Sequence, residues 1–210
     1  MVKIFFHYSN VLLLNRALVS VLDLVMTDYA MIYDGDIQGF ESVLLRYIDY
    51  DDSSDAIDRA IQHGIALSVI EEMVQQTRLI ASKVGTISSG YIELTVAEVE
   101  CLHNVVHMYI AEFLDSLISI LPDEGEDFNI YEYIPFLKQA NSNGVWDGFI
   151  KSNMDSDFIN QEYKAAEDLY SFLQSYYKRN NLLQSIANYN NRIEELLKII
   201  KEYNRQNGIE

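Results

Sequence analysis

The sequence predicts an all-α protein: a multi-helix bundle of six or seven helices, with a C-terminal helical hairpin or coiled-coil-like arm and at most one minor β-hairpin. Three observations lead there. Helix breakers are scarce, with two Pro and nine Gly in 210 residues, and these are the main local punctuators of a chain. Apolar residues recur at spacings of three and four through several long segments, the period of a helix with one buried face. From Phe149 to Asn207 there is neither Gly nor Pro. At 49% hydrophobic and 22% charged, the composition is that of a folded chain rather than a disordered one.

Residues 3–8 are aromatic and β-branched, which suits a short strand. Ser9 or Asn10 then serves as N-cap of a helix reaching about Tyr33. Its apolar positions Val11, Leu14, Leu18, Val21, Val25, Tyr29 and Ile32 leave only a narrow polar stripe at Arg16, Ser20, Asp23 and Thr27, so this helix should be largely buried. Asp34-Gly35-Asp36 closes it as a turn, and a shorter helix follows over 40–50. The acids of 51–55 cap and suit the positive end of the next helix dipole. That helix runs from about Asp55 to Val84, with Gly85 as its stop. Residues 86–94 hold Ser88-Ser89-Gly90 between β-formers; they either pair with residues 3–8 in a small hairpin or form an irregular loop.

Thr95-Val96-Ala97-Glu98 matches a capping box. The helix it opens extends to about Leu121, before Pro122, and its apolar face marks it as the central helix of the core. An acidic loop at 123–127 precedes a helix over about 130–140 and an Asn/Ser/Gly loop at 141–144. Beyond it, Ile159, Tyr163, Ala166, Tyr170, Leu173 and Tyr177 keep heptad spacing. Leu182, Ile186, Tyr189, Ile193, Leu196, Ile200 and Tyr203 keep it again in a shifted frame. The break falls at Lys178-Arg179-Asn180-Asn181, which is read either as the turn of an antiparallel hairpin or as a phase discontinuity in one long helix. The second set is the expected packing surface of the arm. Residues 1–148 are read as an acidic helical domain and 149–210 as the arm.

Charge placement separates these two parts. The formal net charge is −17. Residues 161–210 hold seven acids and seven bases, so the entire excess belongs to the first 160 residues. No Lys or Arg occurs between Lys83 and Lys138, and Arg46 alone accompanies nine acids between Asp28 and Asp58. Such a body opposes the phosphates of nucleic acid and an anionic membrane surface. It equally suits a soluble surface or attraction to a basic protein. The expected partner is therefore a basic, nucleic-acid-handling protein. Its expected contacts are Asp49, Asp51, Asp52, Asp55, Glu112, Asp115, Asp123, Glu124, Glu126 and Asp127. Direct binding of nucleic acid or membrane is not expected, and a homodimer through the arm is the second expected association.

The lone Cys101 excludes an intrachain disulfide and fits a reducing compartment. With no convincing secretory signal and no uncharged apolar stretch of membrane-spanning length, the sequence reads as cytoplasmic. In composition and architecture the chain resembles the small acidic helical inhibitors made by phages and mobile elements, nucleic-acid mimics and anti-CRISPR proteins among them. No motif carries that likeness. What it implies is inhibition of a partner by a surface that stands in for phosphates.

Few residues point to chemistry. Glu100, His103 and His107 fall on one helical stripe and form a weak candidate metal site, since Glu-x-x-His is half of a carboxylate-bridged di-metal motif. The bland reading, histidines at the edge of a core helix, is preferred. Glu71-Glu72 could join other acids to hold Mg²⁺ in a metal-dependent all-α nucleotide hydrolase, against the plainer reading of a solvated face. Arg59 and His63 are too close in sequence for the Arg…His pair of helical HEPN ribonucleases. No phosphate loop, dinucleotide fingerprint or Gly-x-Ser-x-Gly is present. The sequence therefore points to a non-enzymatic binding protein without a cofactor. The alternatives are a homo-oligomeric scaffold built on the arm and, third, the hydrolase.

Overall fold

The structure is a computed structural model that describes residues 1–34, 41–49, 56–115, 117 and 156–206. The element order is β1 (Val2–Phe6), α1 (Tyr8–Tyr33), the single turn α2 (Glu41–Leu44), α3 (Ala56–Val84), β2 (Gly90–Leu94), α4 (Val96–Met108, continued by a π turn over Tyr109–Leu114) and α5 (Ser156–Gln206). Helix accounts for 84% of the interpretable residues, so the all-α class holds. The number of long helices among the described residues is four, below the expected six or seven. Part of the difference is continuity: α5 runs unbroken for 51 residues where a hairpin was one expectation. The helix expected over 130–140 lies outside the described residues.

The correction at 178–181 has a local cause. This segment has no Gly or Pro to turn the chain, and the Asn180 side-chain amide donates to the Tyr176 carbonyl at 2.7 Å, one helical turn back. The polar residues thus decorate a helix rather than end it. At the other end of the chain, α1 starts earlier than Ser9 or Asn10 would place it. Its N-cap is His7, in extended conformation and without a side-chain cap.

β1 and β2 form a two-stranded antiparallel sheet, with Ile4 opposite Ile92 and Phe6 opposite Gly90. Alternation puts Ile4, Phe6, Ile92 and Leu94 inward, while Phe5 and Tyr91 meet edge to face outside. Gly90 has φ +149, a conformation closed to other residues without strain. The capping box forms as the sequence indicated. Thr95 Oγ1 accepts from the Glu98 amide at 3.1 Å, and the Glu98 carboxylate accepts from the Thr95 amide at 2.8 Å.

α4 is central, packing on α1, α3, α5 and β2. α1 has the length and apolarity to cross a membrane, with hydropathy 1.5, yet half of that window is buried inside this fold. The face it buries includes Leu14, Leu18, Val21 and Val25. The π turn adds one residue to α4, which lets Tyr109, Phe113 and Leu114 all reach the interior.

Three ion pairs cross between elements. Arg16 of α1 grips Glu162 of α5 with two bonds, Nε–Oε1 at 2.8 Å and Nη2–Oε2 at 2.7 Å. The fully buried Tyr109 donates its hydroxyl to the same carboxylate at 3.2 Å. Arg46 joins Asp28, which is 3% exposed, to Glu112 of the π turn at 3.2 and 3.1 Å, and Tyr47 donates to Asp28 at 2.6 Å. Lys83 of α3 contacts both oxygens of Glu98. Burial raises the Glu98 pKa, but the bonds from Lys83 and Thr95 outweigh it and hold the carboxyl below its ordinary value.

Removing one partner of a buried bidentate pair strands the other charge, at about 3–5 kcal/mol when both are fully enclosed. Glu162→Gln should therefore cost about 2–4 kcal/mol in urea unfolding at fixed protein concentration, somewhat less than the enclosed limit because Arg16 keeps some solvent contact. The double variant Arg16→Met, Glu162→Leu should recover most of the loss. A single-variant cost under about 1 kcal/mol would show that the pair does not hold α5 in place.

Candidate interaction surfaces

α5 has two unlike halves. In the first, Ile159, Glu162, Ala166, Leu169 and Leu173 form the buried face. Beside it, Tyr163, Tyr170 and Tyr177 form a half-buried row, and Phe172 meets Phe6 of the sheet at 6.3 Å between ring centres. In the second half, every side chain described from Leu182 onward is exposed. That stretch includes Leu182 at 62%, Ile186 at 48%, Ile193 at 39%, Leu196 and Ile200 at 52% and Tyr203 at 61%. Tyr189 occupies the same row by its place in the helix. The residues expected to pack the arm thus lie together on one stripe, without a partner within the described chain.

Helical phase explains why the stripe is free. Apolar spacing passes from Tyr177 to Leu182 in five residues instead of three or four. At 3.6 residues per turn, the stripe over 182–203 then points roughly 170° around the helix from the face that residues 159–173 bury. An unbroken helix cannot present both faces to the same body. The body and arm boundary expected at 148/149 lies outside the described residues; within α5 the change from packed to exposed falls at about Asn181.

The expected acidic contacts are distributed differently. Asp49 and Asp115 are exposed. Asp115 sits beside the Tyr163 hydroxyl, whose pKa its charge and hydrogen bond push up. Glu112 is bound to Arg46. Asp51, Asp52, Asp55, Asp123, Glu124, Glu126 and Asp127 lie outside the described residues.

The Glu100, His103 and His107 stripe meets aromatic side chains of α5. The His103 ring stacks on Tyr170 at 4.2 Å, with its Nδ1 near the Asn104 side-chain oxygen at 3.3 Å. His107 lies 5.6 Å from Tyr170, and Glu100 accepts the Tyr177 hydroxyl at 3.0 Å. Among the described residues no group of three His, Cys, Asp or Glu side chains is placed to hold a metal ion. Glu71 accepts from Tyr29 at 2.9 Å in a groove between α1 and α3 of about 310 Å³. Glu72 lines a separate groove between α3 and α4 of about 330 Å³. The two neighbours diverge. The Cys101 thiol is buried against Thr77 Oγ1 at 3.9 Å, and burial pushes its pKa up, away from nucleophilic use.

Sequence reasoning passed over Glu162, Asp28 and the bases that hold them. A signal existed for the first: a Glu three residues after Ile159 and four before Ala166 falls on an apolar face, where an acid needs a partner. Comparison with protein-family models, curated proteins and solved structures gives no match.

Burial lowers the His103 pKa below its ordinary 6.5. The ring is thus less readily protonated in the folded state than in the unfolded chain. Its contribution to stability is complete above about pH 6.5 and declines as the pH falls below that value. His103→Leu keeps an apolar contact for Tyr170 and removes this titration. Melting temperature between pH 8 and pH 5 should fall less steeply in the variant. Equal slopes would show that His103 titrates alike in both states.

Proposed function

We propose that this chain is a non-enzymatic assembly protein. An acidic helical body holds out one long helix, and the free half of that helix joins it to another protein chain. The observation that carries this reading is the exposed apolar stripe over residues 182–203. A charge-poor apolar row on a single solvated helix is costly to leave in water and has the form of a helix-pairing seam. The stripe faces away from the body, so covering it requires a second helix from elsewhere. A reducing, cytoplasmic setting suits the single buried cysteine.

A second reading concerns the body. It has 17 excess negative charges, and the described structure ties Arg16, Arg46 and Lys83 into internal pairs. What it offers outward is a negative field, which would steer a basic partner and reject nucleic acid itself. A partner that normally holds DNA or RNA would be inhibited or regulated by occupation of its phosphate sites, as in the phage-type mimics that the composition resembles. The carboxylates of Glu71 and Glu72, each in its own groove, lend the hydrolase alternative no support.

The test of the first reading is Ile193→Asp with Leu196→Asp in the full chain. Both side chains are exposed, so the melting temperature should stay within about 2 °C of the parent. Association, read as sedimentation of the purified protein and of the protein in extracts of its source, should be lost. A substantially lower melting temperature would place the stripe in the protein's own core, and unchanged sedimentation would leave the stripe without a role in assembly. For the second reading, a basic, nucleic-acid-handling protein should be captured at about 50 mM salt and released at about 500 mM. Capture indifferent to salt would contradict it.

A further inference from the structure

We infer that residues 182–206 form a parallel, in-register, two-stranded coiled coil with the same segment of a second copy of this chain. This rests on the assembly reading and names the partner of that stripe.

The first argument is which residues occupy which seam positions. The spacing of four and three places Ile186, Ile193 and Ile200 at a, and Leu182, Tyr189, Leu196 and Tyr203 at d. Three β-branched residues at a, alternating with Leu or Tyr at d, match the side-chain shapes that favour two parallel strands. In such a pair each a residue meets its own equivalent across the axis, as does each d residue. The seam is therefore complementary to itself.

The second argument is charge. Glu194, Glu195, Lys198, Lys201, Glu202 and Arg205 all take the outer positions b, c and f. Positions a, d and e carry no charge, and g carries Arg192 alone. A strongly charged partner helix would find nothing on this face to match. A second copy of the same uncharged face does.

The third argument fixes direction. An antiparallel pair with full overlap of 182–203 is centred between residues 192 and 193. It would set the two Arg192 guanidinium groups side by side, and like charges in contact destabilise. A parallel pair sets each Arg192 across from position 197 of the other copy, a leucine that the arginine stem can cover. Parallel pairing also brings the two acidic bodies to one end. Bodies several helix diameters wide keep most of their charges beyond the Debye length of about 8 Å at physiological salt. Contact repulsion at Arg192 therefore outweighs the mutual repulsion of the bodies.

Tyr203→Cys in the full chain reads both partner and direction. In a parallel pair the two d positions lie within disulfide reach. In the antiparallel pair they are about 31 Å apart, 21 residues along the helix, and position 203 faces position 182 instead. The expected result under mild oxidation is a linked dimer of twice the 24.2 kDa chain mass. Adding Ile193→Asp and Leu196→Asp should abolish it, and the parent, whose single Cys101 is buried, should not link. A link formed only between Leu182→Cys and Tyr203→Cys chains would overturn the parallel direction. A monomeric mass without linking would overturn self-pairing. The assembly reading then stands or falls separately, on whether the double Asp variant loses a complex with a different protein.

Discussion

The rest of this architecture depends on the contact of Arg16 with Glu162. The pair joins the first long helix to the last across 146 residues of sequence, with the buried Tyr109 hydroxyl satisfying the carboxylate from a third element. Buried ion pairs add little net stability compared with apolar packing, and their best-attested role is to select one arrangement. Here the arrangement selected is the rotation of α5. With Glu162 turned to Arg16, Ile159, Ala166, Leu169 and Leu173 turn inward. Rotation by one residue would bury Gln161 or Tyr163 instead and strand Arg16. Because α5 is continuous, fixing its first half also fixes which way its second half faces. The exposure of Leu182, Ile193 and Ile200 is thus the distant consequence of one carboxylate.

The same economy of basic residues shapes the body. Arg16, Arg46 and Lys83 each bind acids on a different element. Arg46 is the only base in the acidic stretch of 28–58, and it reaches both Asp28 and Glu112. Burial alone would lower its pKa, but the two carboxylates more than compensate, so the cluster remains a charged network. The bases thus serve as internal fasteners, and the surface is left with an unbalanced excess of acid. The arm, in contrast, keeps its charges balanced and confined to its outer positions. One chain therefore separates two surface types: a negative body suited to stay apart from other acidic molecules, and a neutral apolar seam suited to contact.

What could be read in the sequence follows from how local the governing physics is. Thr95 to Glu98 is a four-residue exchange of hydrogen bonds, and it forms where it was expected. The end of α3 at Val84 and the pairing of residues 2–6 with 90–94 depend on Gly85, Gly90 and side-chain alternation, also local signals. The hairpin expectation failed because a polar segment, 178–181, looks the same whether it turns a chain or decorates a helix. Only the Asn180 bond to Tyr176 separates the two, and that bond is conformational. The π turn at 109–114 has no sequence signature, since it answers the packing of Tyr109 and Phe113 against other elements. The ion pairs were missed because their partners lie 15 to 146 residues apart. The Glu100, His103 and His107 stripe was correctly placed on one face, but nothing in its spacing revealed that Tyr170 and Tyr177 would lie against it.

Both halves of α5 can be followed at once by amide hydrogen exchange across a range of protein concentrations. Amides over 160–177 should be protected at every concentration, because that half packs on the body. Amides over 182–203 should exchange freely in dilute solution and become protected as concentration rises, because their protection comes from another chain. Protection of 182–203 that does not depend on concentration would mean the body covers the stripe. Free exchange at all concentrations would mean that nothing covers it, and either result would contradict the account.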